Sequence, residues 1–382
     1  AGYEKVNEGP GATLGPGPKA GPTGVTKNKY ITDFKYKLVN QKALNKKAKG
    51  IEVKQLWEAE EVEQFLDDMQ INDPDKRKFI ASRIMAFDAI ETPFGKSDKI
   101  IGGAATYIAW CASNFTTVKQ ISVVGGDFPS SELDALSKRG VILEGVQIKK
   151  NEKTFFWSGK YHLDMNTRDT LDTQLNVLEN FQPVVPDSYQ DCEILMLGNL
   201  VPGVQSNVIK QMKKRPALIV MDTMNFWMEI MMDDLLHTIS LVDVLLVNDS
   251  EARQLSGEFS LVKAAKKIMS MGPKYLIIKK GEHGALLFHK NEVFYAPALP
   301  LEEVFDPTGA GDTFAGGFVA HLAKTKDYSF ENMKSAIIVG SALASFCVEK
   351  FGTQRLTEIN QADIAKRIQS FVQLVNFNTE IV

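Results

Sequence analysis

The chain has 382 residues, of which 44% are hydrophobic, 24% charged and 9% aromatic. These proportions exclude a wholly disordered, collagen-like or coiled-coil protein, and no apolar run reaches the roughly 18–20 residues of a membrane span. Three scattered cysteines (Cys111, Cys192, Cys347) fit neither a disulfide scaffold nor a zinc site, so each is expected as a small core residue in a reducing compartment.

The net charge of −3 is unevenly spread. Residues 1–50 hold ten lysines against Glu4, Glu8 and Asp33, about +7, which leaves about −10 (−3 minus +7) for the remainder. The first 24 residues contain seven glycines and four prolines, too little apolar surface to offset the entropy of ordering. Residues 1–50 are therefore expected as an extended basic arm. Such an arm suits an acidic protein, an anionic membrane surface or nucleic acid, and the alternative is a solvated tail. The body has no basic stripe with interleaved aromatics, so nucleic acid is not expected as the main partner. The chain begins at Ala1 without an apolar signal core. A cytoplasmic protein is expected, with an organelle interior after removal of a targeting segment as the alternative.

Residues 51–77 change character. Val53, Leu56, Trp57, Val62, Phe65, Leu66 and Met69 recur at helical spacing with acidic residues between them, which predicts an amphipathic helix, and Asn72–Asp75 (NDPD) reads as a turn. The apolar stripe is expected to dock on its own domain; the alternative is contact with a protein partner or a second copy through residues 1–70. From residue 78 to 382 short β-like runs alternate with helical stretches. Strands are predicted at Lys78–Met85, Gln120–Val124, Ile194–Leu197, Ala217–Met221, Val242–Val247 and Tyr275–Lys279. Helices are predicted at Ala104–Ser113, Ser130–Arg139, Val204–Lys213, Leu261–Met269, Gly311–Ala323 and Asn332–Val348. This alternation predicts an α/β fold with a doubly wound, mainly parallel sheet. Phe155–Leu163 breaks the rhythm and suits a small β-sheet lid.

The densest chemistry lies in Asp306-Pro307-Thr308-Gly309-Ala310-Gly311-Asp312 before a Gly/Ala-rich helix. A Gly-Ala-Gly turn opening a helix leaves backbone N–H groups uncovered at the positive end of the helix dipole, an anion site. Asp312 beside it suits a base that takes the proton from an attacking hydroxyl; the alternative is a helix cap.

These residues resemble the second signature of the PfkB/ribokinase family of sugar and nucleoside kinases, D-T-x-G-A-G-D. Four other elements follow the family's order: Gly102-Gly103 is similar to its di-glycine hinge, Val124–Asp127 to its V-G-x-D element, Asn248–Glu251 to its N-x-x-E motif and Lys280–Gly284 to its (T/K)-x-G-x-x-G turn. The resemblance covers about residues 82–370. It implies a ribokinase-like fold with lid elements around 88–103 and 150–176, and ATP- and Mg²⁺-dependent phosphorylation of a primary hydroxyl of a sugar or nucleoside. In this family Asp312 matches the general base, and Gly309, Ala310 and Gly311 match the anion hole for the γ-phosphoryl group. Asn248 and Glu251 match the residues that organise Mg²⁺, mostly through water. Asp88 falls at the end of the first strand, where the family holds substrate hydroxyls, with Gly102 and Gly103 beside it. Lys280, Gly281, Gly284 and Thr308 fall on the nucleotide side, where His283 is expected as an exposed loop residue. Arg168 could reach the substrate, although a solvated lid charge is the plainer expectation, and Asn225 falls where a polar residue often faces the phosphates. Three departures stand out: the first strand lacks the family's early glycine, Thr106 and Tyr107 replace a frequent asparagine, and the first 80 residues match nothing in the family. A kinase-fold subunit of a larger assembly, contacting partners through its arm and helix, is the alternative function.

Overall fold

The computed structural model describes residues 78–376; the expected arm and the Val53–Met69 helix lie outside the described residues. Strand β1 (Lys78–Ser82) leads into β2 (Ala86–Thr92) and β3 (Gly95–Gly102), and α1 (Ala104–Ala112), β4 (Thr117–Gly125), α2 (Ser130–Lys138) and β5 (Ile142–Lys149) follow. After β6 (Phe156–Tyr161) and β7 (Arg168–Gln174) come β8 (Ile194–Leu197), α3 (Pro202–Gln211), β9 (Leu218–Asp222), α4 (Asn225–Ile230) and α5 (Met232–Ile239). The chain continues through β10 (Val244–Asn248), α6 (Asp249–Ser256), α7 (Leu261–Met269), β11 (Tyr275–Lys279), β12 (Ala285–His289) and β13 (Glu292–Ala296). Helices α8 (Ala310–Thr325), α9 (Phe330–Cys347), α10 (Gln354–Glu358) and α11 (Gln361–Val375) close it.

Nine strands form the core sheet in the order β13-β12-β11-β10-β9-β8-β1-β4-β5. It is parallel from β11 to β5, and β12 and β13 add an antiparallel edge. The runs ILML, LIVMD and VLLVN are apolar almost throughout because helices cover both faces of a parallel sheet. Ile80, Leu195, Ile219, Leu245 and Ile278 are fully buried in one continuous core. The expected ribokinase-like α/β architecture is the observed one. The three cysteines are free and buried, as expected.

The expected small sheet is also present, with four strands in the order β3-β2-β6-β7. One expectation fails at its root. The first strand does not run from Lys78 to Met85 but ends at Ser82, and Asp88 lies in β2 of the lid sheet, not at the end of β1. Residues 83–85 cross between the sheets, pinned by Arg83 N–H donating to Ile121 O and Met85 N–H donating to Ser122 Oγ. No glycine or proline marks this crossing between Lys78 and Asp88, so the run carries no turn signal there. Among the described residues no helix is long and apolar enough to cross a membrane.

Candidate active site

In an open parallel sheet the carboxyl ends of the strands share one edge, and side chains just past those ends converge. Here that edge carries Arg83 after β1, Gly198 after β8, Asp222 at the end of β9, Asn248 at the end of β10 and Lys279 at the end of β11. The Gly309–Asp312 turn joins them from above. Gly309 is the N-cap of α8 in the left-handed region (φ 76°), and no side chain caps the helix. The first-turn N–H groups of a helix have no partner inside it, so this start remains open to an anion. A Cβ added at Gly311 would lie 3.3 Å from Lys279 Nζ, so a cation stands beside the same opening. At Gly309 a Cβ would overlap the ring of Tyr107, which packs beneath the turn from α1. Asp306, fully buried, braces it by accepting Thr308 N–H (2.8 Å) and Gly352 N–H (2.9 Å).

Asp312 projects from the first turn of α8 into a cluster of four charges. Its Oδ1 pairs with Arg83 Nη1, which also lies 3.6 Å from Asp222, and Lys279 Nζ sits 3.2 Å from Asp222. Arg83 is completely buried, whereas the Asp312 side chain keeps 26% of its surface open to the cleft. Burial raises the Asp312 carboxyl above its ordinary range; Arg83, Lys279 and Arg168 oppose that rise and Asp222 adds to it.

The residues expected on the acceptor side lie on and beside the small sheet. Asp88 Oδ2 accepts Gly103 N–H at 3.3 Å, and Gly103 (φ 81°) and Gly102 leave the space: a Cβ on Gly102 would overlap the Asp88 carboxylate. Burial drives Asp88 up to about 7, with Asp306 and Asp312 adding to the rise and the Gly103 N–H opposing it. Trp157 is the cross-strand partner of Asp88 in the β2–β6 pair, so both side chains share one face. Its indole lies across Gly159, where any Cβ would collide with it, and donates to Thr170 Oγ1 at 3.3 Å. Arg168 is the first residue of the exposed strand β7, its guanidinium 5.9 Å from the Trp157 ring. Tyr161, two turns of the pleat further on, bonds Thr308 Oγ1 at 3.2 Å and so ties the lid to the anion turn.

Of the residues expected on the nucleotide side, Asn248 and Glu251 form a capping box. Asn248 Oδ1 accepts Glu251 N–H at 2.8 Å and Glu251 Oε2 accepts Asn248 N–H at 2.7 Å. Burial pushes Glu251 up to about 7 despite Lys279 nearby. The charge cluster contains Lys279 and not the expected Lys280; Gly281 (φ 56°) and Gly284 (φ 82°) shape the loop after β11, and His283 is exposed. The lid turn reaches this loop: a Cβ at Gly281 would overlap Asn166 Oδ1. Asn225 opens α4 on the surface. Among the described residues no group of three or more His, Cys, Asp or Glu could hold a metal ion. A hydrated Mg²⁺ held chiefly by phosphate oxygens fits such a donor set, because it needs only one or two carboxylates, often through water.

The family model for the pfkB carbohydrate kinases matches residues 94–360. The chain belongs to that family. The kinase is 28% identical over 278 residues to a cytidine kinase of Thermococcus kodakarensis, covering 72% of this chain and 96% of that one. To a nucleoside kinase of Methanothermobacter thermautotrophicus it is 24% identical, covering 66% and 80%. The nucleoside kinase of Methanocaldococcus jannaschii has the same fold, with a TM-score of 0.62 at 21% identity, covering 77% of this chain and 98% of that one. So does an Arabidopsis thaliana ribokinase complexed with ribose and ATP, at 0.62 and 20%, covering 77% and 99%. Sequence reasoning overlooked Arg83, Asp222, Lys279 and Trp157 in the kinase. A signal existed for Arg83: a lone arginine within the apolar run FIASRIMAF needs a buried partner.

Proposed function

We propose that this kinase transfers the γ-phosphoryl group of ATP to the primary hydroxyl of a nucleoside. The carrying observation is Asp88 and Trp157 side by side on the lid face that adjoins Asp312. A carboxyl that accepts two hydrogen bonds suits the vicinal diol of a ribose, and a flat indole next to it suits a planar base. A free pentose would leave the indole unused.

In this mechanism Asp88, Gly102 and Gly103 fix the ribose so that its hydroxymethyl group approaches Asp312. Asp312 takes the hydroxyl proton as the acceptor oxygen bonds to the γ-phosphorus; the bond from phosphorus to the bridging oxygen breaks and ADP departs. The N–H groups at the start of α8, with Lys279 beside them, stabilise the charge on the phosphoryl oxygens in flight. Asn248 and Glu251 would hold Mg²⁺ through water, where the ion supplies neutralisation of phosphate charge. Tyr161 and the Asn166 turn keep water out from the lid side.

The test is an ADP-release assay across nucleosides, ribose and hexoses, with wild type and Trp157→Ala. Nucleosides should be preferred, and Trp157→Ala should raise their KM about tenfold or more while leaving ribose little changed. Equal or better turnover of free sugars, unaffected by Trp157→Ala, would overturn the nucleoside assignment.

A further inference from the structure

We propose that Arg83 is a positioning residue for the catalytic carboxylate, holding Asp312 in one orientation and in its ionised form. The proposal rests on Asp312 being the base. The Arg83 side chain is 0% exposed and reaches Asp312 with Nη1 alone; Nε and Nη2 are buried with no hydrogen-bond partner. An arginine placed for stability would satisfy its fork of donors, since an unpaired buried donor is costly. This one leaves most of the fork unsatisfied and makes its one side-chain hydrogen bond to the reactive carboxylate, with Asp222 only at ion-pair distance (3.6 Å). Room for it is provided by Gly198 after β8: a Cβ there would overlap Arg83 Cγ and Cδ. With Oδ1 engaged, Oδ2 of Asp312 has no partner among the described residues and remains for the acceptor hydroxyl.

The charge arrangement explains the need. Asp312 faces Arg83 from the end of β1, Asp222 from β9, Lys279 from β11, Arg168 and Asp88 from the lid, and the thiols of Cys111 and Cys347 from α1 and α9. Arg83, Lys279, Asp222 and Asp312 sum to zero. Removing Arg83 leaves one net negative charge, with Asp312 beside Asp222 in a poorly solvated site, so Asp312 would bind its proton at higher pH. A protonated Asp312 cannot accept the hydroxyl proton, and the enzyme would lose activity on the acid side.

The test uses the full chain with Arg83→Met, Arg83→Gln and Arg83→Lys. The neutral variants should move the acid limb of kcat/KM upward by about one pH unit or more, while Arg83→Lys, which restores the charge, should bring it back toward wild type. Arg83→Gln keeps a neutral variant measurable if the apolar one does not fold. In parallel, the Asp312 carboxyl is titrated by ¹³C NMR in protein without substrate, identified as the resonance absent from Asp312→Asn. Its midpoint should rise in the neutral variants. A lowered melting temperature with an unmoved acid limb and an unmoved carboxyl titration would make Arg83 merely structural and overturn the proposal. Full turnover by Asp312→Asn would instead overturn the base assignment, and the Arg83 effect on the carboxyl titration would still be read independently.

Discussion

Asp88 should destabilise the folded protein at neutral pH, and Asp88→Asn should relieve it. The carboxyl is buried and its midpoint stands at about 7 against an ordinary 3.8. A folded-state midpoint above the unfolded one means that the native state binds more protons between the two values, so stability falls as pH rises from about 4 to 7. A difference of about three units corresponds to roughly 4 kcal/mol once the pH exceeds both midpoints, and to roughly half that near pH 5. Asp88→Asn keeps an acceptor for Gly103 N–H (3.3 Å in the wild type) but carries no charge to bury. The assay is denaturant unfolding of both proteins at pH 5 and pH 8, compared as a difference so that other groups cancel. The Asn variant should gain stability relative to wild type, about 2 kcal/mol more at pH 8 than at pH 5, while its KM for the acceptor rises. Parallel loss of stability in the two proteins from pH 5 to 8 would refute the reasoning.

Asp312→Asn should keep the fold and nucleotide binding but lower kcat about 10²–10⁴-fold, measured by single-turnover ADP release. Glu251→Gln preserves an acceptor for the Asn248 N–H and so the cap; it should raise the Mg²⁺ concentration for half-maximal rate with little change in melting temperature. An unchanged Mg²⁺ dependence would assign Glu251 to the cap alone. Gly102→Ala should displace the Asp88 carboxylate and raise the acceptor KM on the order of 100-fold, with the KM for ATP as the internal control.

The parallel core was legible because strands buried on both faces read as unbroken apolar runs: Ile194–Leu197 and Tyr275–Lys279 fall where periodicity puts them. The crossing at Arg83–Met85 was hidden for another reason: neither glycine nor proline marks the passage from one sheet to the other. The β12–β13 hairpin lacks the glycine that usually announces such a turn; Lys290 takes the positive φ (51°) instead. Within the site, Asp312, Gly309–Gly311 and Gly102–Gly103 could be read locally, because glycine geometry and a helix start are properties of a few consecutive residues. Asp222 and Lys279 could not, because each ends a different strand and their meeting depends on strand order; Arg83 announced a buried partner but not which one. Asn248 and Glu251 show a third case: the N-x-x-E spacing is also a capping-box spacing, and the observed hydrogen bonds are those of the cap.

The overlap that a side chain at position 198 would make with Arg83 ties two distant codons together. With Arg83 placed as it is, any larger residue at 198 collides with its side chain, whereas shortening Arg83 first opens space that such a residue could fill. Substitution at these two sites is thus expected in one order, position 83 before position 198.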